Sequence, residues 1–331
     1  MSIHQSGSFK VRKLDIRFDQ PAVADLIEKS FGSYIDPDGK AYLQRIREAA
    51  QNRKNIQWLK GANEMLSYPL SGFVCETSDG DIVGNLSLIP FERNGKWIYL
   101  IANVAVDDHW RRKGIANQLT MQALNHLSKQ GVQTVWLQVR DDNEPAIGLY
   151  HSFGFQEFSR RTNWLKSSSI GKPDWNLPEL TTVTKRKSRH WLQHAQYLHR
   201  TFPQDVAWNL NLNLREFAPG LLSTVKSTML ISELEHYEAV YNNQTIGFAS
   251  WQARKLYADS IWFVSDQNYE YEASLALLQI IEKHIRNIQR PLMINFPAER
   301  NIAGFTKAGY SVLNTLIWMK RPVWRINNLG G

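Results

Sequence analysis

The sequence holds a single cysteine, Cys75, in 331 residues. An intramolecular disulfide framework and a zinc site built from clustered cysteines are both excluded, and no metal is expected. No apolar run approaches the roughly 20 residues that a membrane-spanning helix needs, so no membrane partner is expected. The first eight residues, Met1 to Ser8, lack a basic segment followed by an apolar one, and no secretory signal is expected there. Clustered charge is also scarce. Lys and Arg number 39 against 31 Asp and Glu, but they are dispersed, and the densest group is Lys185-Arg186-Lys187 with Arg189. A solvated basic surface accounts for that excess, and nucleic acid is not the expected partner. The expectation is a soluble, cytoplasmic protein, monomeric or homodimeric.

Aromatic and apolar residues are plentiful, with 12 Trp, 12 Tyr and 14 Phe and a hydrophobic share of 43%. Disorder is not the expected main state. The length fits two domains at about 100–200 residues each. Apolar spacing predicts a strand over 10–17, then helices over 21–31 and 39–52, with Val23, Leu26 and Ile27 on one face of the first. Three strands follow over 71–76, 82–93 and 96–106, joined by the hairpin signals Asp79-Gly80 and Asn94-Gly95. A helix over 112–129 closes on Gly131; a strand over 134–140, a short helix over 145–153 and a strand over 155–166 complete the unit. Hairpins leading into a β-α-β crossover predict an α/β fold with a mixed sheet.

Residues 167–180 carry three serines, Gly171, Pro173 and Pro178, and are expected to be a linker. Beyond it the plan recurs. Thr245-Ile246-Gly247-Phe248-Ala249-Ser250 echoes Asp81-Ile82-Val83-Gly84-Asn85-Leu86, and a long helix over 272–287 sits where the 112–129 helix sits. Ala308-Gly309-Tyr310 echoes Phe153-Gly154-Phe155, and Trp318-Met319-Lys320 echoes Trp164-Leu165-Lys166. The matches fall in one order at a nearly constant offset, which points to an internal duplication. The expected domains are 1–166 and 181–325.

The sharpest segment runs from Asn103 to Leu119. An apolar strand ends, a polar turn follows, and Arg111-Arg112-Lys113-Gly114-Ile115-Ala116 opens an amphipathic helix whose Ile115, Leu119, Ala123 and Leu127 recur every four residues. The first turn of a helix has N–H groups without intrahelical partners, and the helix dipole favours an anion there. Gly114 and Ala116 leave room for close approach, and three cations precede them, so the segment suits a pyrophosphate. A basic helix start with an incidental glycine is the bland alternative. One strand later comes Asn143-Glu144-Pro145-Ala146-Ile147-Gly148-Leu149-Tyr150-His151-Ser152-Phe153-Gly154-Phe155.

The pair of segments resembles the fingerprint of the GNAT (GCN5-related) N-acetyltransferase superfamily: Arg/Gln-x-x-Gly-x-Gly/Ala at the helix after a central strand, then Asn-x-x-Ala-x-x-Leu-Tyr-x-x-x-Gly-Phe. The resemblance covers 10–166 well and the remainder as a faded copy, implying tandem GNAT-like acyl-CoA N-acyltransferase folds. It implies acetyl-CoA as cosubstrate and direct transfer of acetyl to a primary amine on a small molecule, protein or peptide. Val104, Ala105 and Val106 match the strand end that pairs with the pantetheine arm. Arg111, Arg112, Lys113, Gly114, Ile115, Ala116 and Asn117 match the pyrophosphate loop. Asn143 matches a residue bonding the cofactor arm, or else caps the helix that follows it. Tyr150 matches the acid that protonates the departing thiolate, or else packs in the core. Glu76, Glu92 and His109 are the nearby candidates for a general base.

In the second half, Ser265 to Ser274 aligns with the phosphate loop but has no glycine and carries Asp266, Glu270 and Glu272. Like charges repel a pyrophosphate, so no acetyl-CoA is expected there. The tyrosine position falls at Phe305. Two readings follow: an N-acetyltransferase with one working and one degenerate domain, or a non-catalytic acyl-CoA-binding sensor.

Overall fold

A computed structural model describes residues 8–35, 37–51, 71–93, 95–167, 181–210, 212–220, 234–254, 257–284 and 290–323. The expected linker, from 168 onward, and Asn94 of the second hairpin signal lie outside the described residues. The chain divides into two compact units: residues 1–158 with 317–331, and residues 159–316.

In the first unit the strand order is β1 (Phe9–Lys13), β2 (Ser71–Thr77), β3 (Ile82–Arg93), β4 (Lys96–Val106) and β5 (Thr134–Arg140), followed by the end of the chain's last strand, β12 (Ser311–Pro322). β1 to β4 run antiparallel to one another, and β5 is parallel to β4. The mixed sheet is therefore the one the alternating hairpins and crossover predict. Helix α1 (Gln20–Phe31) and helix α2 (Pro37–Gln51) cover one face, burying Val23, Ala24, Leu26, Ile27, Leu43 and Ile46 over Val74 and Ala105. Helix α3 (Ile115–Lys129) covers the other, setting Ile115, Leu119, Ala123 and Leu127 against Cys75, Leu86, Leu88 and Ile101. Gly84 permits that approach: a Cβ there would lie 2.7 Å from the Ile115 side chain and 3.2 Å from that of Leu119.

Two elements are shorter than their apolar patterns suggest, each for a local reason. β1 stops at Lys13 because Asp19 turns the chain: its carboxylate accepts from the Asp15 N–H at 2.7 Å and from Arg12 at 2.6 Å. Arg12 reaches on to Glu76 at 3.0 Å. Helix α3 begins at Ile115, three residues past the expected start at 112. Arg112 (φ 61°) and Gly114 (φ 81°) are left-handed and cannot continue a right-handed helix.

In the second unit the order is β6 (Gln156–Lys166), β11 (Leu292–Pro297), β10 (Asp259–Ser265), β9 (Gln244–Gln252), β8 (Leu234–Tyr241) and β7 (Thr181–Lys185), with residues 311–316 of β12 beside β6. Helices α5 (Trp191–Thr201) and α6 (Gln204–Ala207) line one face and bury Leu198, Phe202 and Ala207 with Phe248 and Trp262. Helix α7 (Glu270–His284) and α8 (Ile302–Lys307) line the other, with Ala273, Leu277, Ile281 and Phe305 in its core. Helix α4 (Glu144–Ser152) of the first unit corresponds in order to α8.

The duplicated plan is legible in matching contacts. Gly247 lies under α7 as Gly84 lies under α3, with Ala273 3.0 Å from a Cβ built on it. The Asp107 N–H donates to the Val83 carbonyl at 3.0 Å, and the Asp266 N–H to the Ile246 carbonyl at 2.8 Å. Both aspartates then accept the N–H two residues on, at 3.0 Å, from His109 and from Asn268. These contacts set Gly247 against Gly84, one residue away from the sequence echo, which aligns Gly247 with Val83.

Candidate active site

The site begins with an irregularity in β4. Asn85 of β3 pairs with Ala105, whereas Ser87 pairs with Ala102, so Asn103 and Val104 together stand opposite Leu86. This is a β-bulge, and Asn103 takes a left-handed φ of 51° to make it. The parallel pairing of β4 with β5 is confined to Tyr99–Ile101 against Val135–Leu137. Past Ile101 the ladder between the two strands ends, and the backbone of Val104, Ala105 and Val106 runs on without pairing to β5. An opening at the carboxyl ends of two parallel strands is where open sheets receive ligands.

Three polar side chains fix the bulge, none of them singled out by the sequence pattern. The amide of Asn85 donates to the Asn103 carbonyl at 2.8 Å and to the Ser87 hydroxyl at 3.3 Å. The Asn103 amide donates to the same hydroxyl at 3.4 Å. Asn85 and Ser87 are buried, and the Asn85 Oδ1 has no partner among the described residues. A buried acceptor without a donor costs about 1–3 kcal/mol.

The chain leaves β4 through a short helical turn, Asp108–Trp110, and enters the loop that precedes α3. Lys29 of α1 donates to Asp107 at 2.6 Å and steadies this turn, holding the Asp107 carboxyl below the usual carboxylate range. Arg111, Arg112 and Lys113 are all exposed. Arg111 pairs with Asp108 at 2.6 Å, and the Lys113 ammonium stands 4.2 Å from the centre of the Trp110 ring. Gly114 is the residue before the helix, and a Cβ built on it meets no atom within 4 Å. The first intrahelical bond runs from the Gln118 N–H to the Gly114 carbonyl, so the N–H groups of Ile115, Ala116 and Asn117 have no partner within the helix. The Ile115 side chain is buried in the core, which leaves its main chain as its contribution to the loop.

Asn143 caps α4, its Oδ1 accepting from the Ala146 N–H at 3.2 Å. The capping alternative is thus realised, and the exposed amide N–H₂ stays available to donate elsewhere. Tyr150 is buried in the core under α3, edge-on to Phe155 at 5.9 Å between ring centres. Burial holds its hydroxyl protonated well above the ordinary tyrosine range. The base candidates are less well placed. Glu76 is held by Arg12 and Lys10, which pull its carboxyl down to about 2 and leave it a weak base. Glu92 pairs with Trp97, six residues before Asn103, or roughly 20 Å along the strand. His109 is exposed and bonded to Asp107 at 3.2 Å.

The second unit lacks these features at the corresponding place. β10 pairs with β9 from Ser260–Gln252 to Ser265–Gly247 in unbroken register, with no bulge. The turn Gln267–Tyr269 passes directly into α7 at Glu270, without a left-handed residue or an intervening loop. Glu270, in the first turn of α7, is paired with Arg300. Phe263, Phe296 and Phe305 are fully buried there, with ring centres 5.2–5.6 Å apart. Three or more His, Cys, Asp or Glu grouped to hold a metal ion do not occur among the described residues, and no helix among them is long and apolar enough to cross a membrane.

Comparison with known proteins agrees with this geometry. Residues 36–155 match the acetyltransferase (GNAT) family model. Over 72 residues the chain is 40% identical to the ribosomal protein bS18-alanine N-acetyltransferase of Escherichia coli K12, covering 22% of this chain and 48% of that protein. The chain thus spans about half the length of the curated relatives it matches. A GCN5-related N-acetyltransferase from Sphaerobacter thermophilus superposes over 96% of both chains with a TM-score of 0.59 at 15% identity. A tandem GNAT protein from the clavulanic acid biosynthesis pathway does so over 96% of this chain and 99% of its own, with a TM-score of 0.50 at 14% identity. These two structural likenesses establish the fold.

Proposed function

Because the chain belongs to the GNAT superfamily, we propose that its first unit transfers an acetyl group from acetyl-CoA to a primary amine by direct attack in a ternary complex. The observation that carries the reading is the juxtaposition in one unit of a bulged strand that parts from its parallel neighbour and a left-handed loop opening a helix. The relative's name favours a protein or peptide amine as acceptor.

The residues present suit the cosubstrate. The free N–H groups of Ile115, Ala116 and Asn117, with the cations Arg111, Arg112 and Lys113, form a pyrophosphate-sized cradle whose front at Gly114 is open. The backbone of Val104, Ala105 and Val106 would align the pantetheine arm as an added strand, and the Asn143 amide would donate to it. Acetyl-CoA supplies an activated thioester. Main-chain N–H groups at the strand end polarise its carbonyl, and holding both reactants in one cleft supplies much of the acceleration. Tyr150 donates a proton to the departing sulfur. The second unit is a degenerate copy that binds no acetyl-CoA, in keeping with its missing loop and its three packed phenylalanines.

The deep burial of Tyr150 favours the second reading, a non-catalytic acyl-CoA-binding protein. Thiol release from acetyl-CoA, assayed with a panel of amines that includes peptides bearing a free N-terminal alanine, separates the two. Release that depends on the amine supports the enzyme. Binding of acetyl-CoA without release under any amine supports the sensor.

A further inference from the structure

Asn85 is a buried amide in an apolar layer. Its neighbours across the sheet are Val74 on β2 and Ala105 on β4, both part of the core beneath α1 and α2. Its orientation is fixed by chemistry, because only the amide N–H₂ can face the Asn103 carbonyl 2.8 Å away. The Oδ1 is then left buried without a donor among the described residues. An aliphatic side chain would suit that layer better, since it would bring no unmatched polar atom. Asparagine is present where stability alone does not favour it.

The second unit supplies an internal control. Gly84 and Gly247 hold corresponding places beneath their helices, and the residue after each faces the opposite side of its sheet. In β3 that residue is Asn85; in β9 it is Phe248, fully buried between Glu238 and Val264. β4, beside Asn85, is bulged, and β10, the corresponding strand beside Phe248, pairs with β9 without interruption. On the ladder that leads into the helix, amide and bulge occur together in the first unit and neither occurs in the second, whose bulge lies instead between Ala239 and Val240 on the β8 side of β9.

We propose that Asn85 is a positioning residue: it pins the Asn103 carbonyl and so holds β4 in the bulged form that presents Val104–Val106 to the acyl-bearing arm, at a cost to the stability of the layer in which it sits. The proposal rests on the acetyl-CoA reading of the site. Without the pin, β4 is free to take the regular pairing seen in β10, and the strand end loses its alignment while the phosphate loop keeps its own.

The test uses the full chain with Asn85→Leu, and with Asn85→Val in case leucine overfills the site. Two ligands are titrated, acetyl-CoA and adenosine 3′-phosphate 5′-diphosphate, which carries the phosphates but not the arm. Both variants should melt at or above the wild-type temperature and bind the nucleotide within about twofold, yet bind acetyl-CoA at least tenfold more weakly. A merely structural asparagine would lower the melting temperature and both affinities together, and that result overturns the proposal. Unchanged acetyl-CoA affinity in a folded variant also overturns it, while leaving the functional reading intact. Wild-type protein that binds neither ligand contradicts the functional reading itself, and the proposal falls with it.

Discussion

The Lys166 ammonium donates to Glu282 at 2.6 Å and to the Ala308 carbonyl at 2.8 Å, with both charged side chains almost wholly buried in the second unit. Burial raises the Glu282 carboxyl, so removal of the lysine strands a group that already resists ionisation. Lys166→Met should cost about 3–5 kcal/mol in urea unfolding. The double variant Lys166→Met/Glu282→Leu should recover most of that loss, because a matched apolar pair leaves no charge unpaired. A double variant as unstable as the single one would show that packing, and not charge, is at stake.

A pH dependence follows from two histidines of the second unit. His194 is fully buried, stacked on Phe248 at 4.6 Å between ring centres, and its Nδ1 lies 3.0 Å from Arg186, which can only donate. It is therefore neutral, and burial with the nearby Arg186 and His236 holds it well below the ordinary histidine range. Burial, with Arg186 and Lys185, pushes His236 down to about 3, while its Nδ1 contacts the Ser250 hydroxyl at 2.7 Å. The unfolded chain binds these two protons from about pH 6.5 downward, and the folded chain does not. Stability is thus present above about pH 6.5 and falls with acidification, by up to about 1.4 kcal/mol per pH unit for each histidine. Chemical unfolding from pH 7 to 5 should show this slope, and His194→Phe with His236→Gln should flatten it. The carboxyls that Arg17 and Arg12 pull down to about 2, Asp15 and Glu76, act only at lower pH.

Tyr150→Phe keeps the ring that packs on Phe155 and removes only the hydroxyl. General acid help is typically worth about 10²–10⁴-fold, so turnover should fall at least tenfold, with acetyl-CoA affinity within a few-fold. Unchanged turnover would make Tyr150 a core residue only. Loss of affinity together with turnover would make it structural.

Much of the first unit was legible because its signals are local. The four-residue spacing of Ile115, Leu119, Ala123 and Leu127 gives α3 and its buried face, and Gly114 after three cations marks the loop. The bulge was not legible, since Asn103 within Asn-Val-Ala-Val reads as an ordinary strand residue. Its left-handed backbone depends on Asn85 and Ser87, 18 and 16 residues away. Nor does the strand pattern say where β6 and β12 go: alternation fixes which face a side chain takes, not which neighbour the strand pairs with. β6 lies beside β11 and the end of β12 follows β5, a choice carried by specific pairs such as Thr162 with Thr315 and Asn163 with Asn314 and Asn295. In the second unit, the missing glycine and the acidic residues Asp266, Glu270 and Glu272 lead the sequence reading to expect no acetyl-CoA. The structure adds a further difference, a helix that starts with no loop before it.

Under this proposal acetyl-CoA is held by the loop at Gly114 and by nothing corresponding in the second unit. Calorimetric titration of acetyl-CoA into the intact chain tests it most directly. One site per chain is expected, and at least tenfold weaker binding in Gly114→Glu with the melting temperature shifted by no more than a few degrees. Glutamate there strains a left-handed residue and brings a negative charge to the mouth of the cradle, but meets no neighbouring atom at its Cβ. Two sites per chain, no binding, or full affinity in the glutamate variant would contradict it.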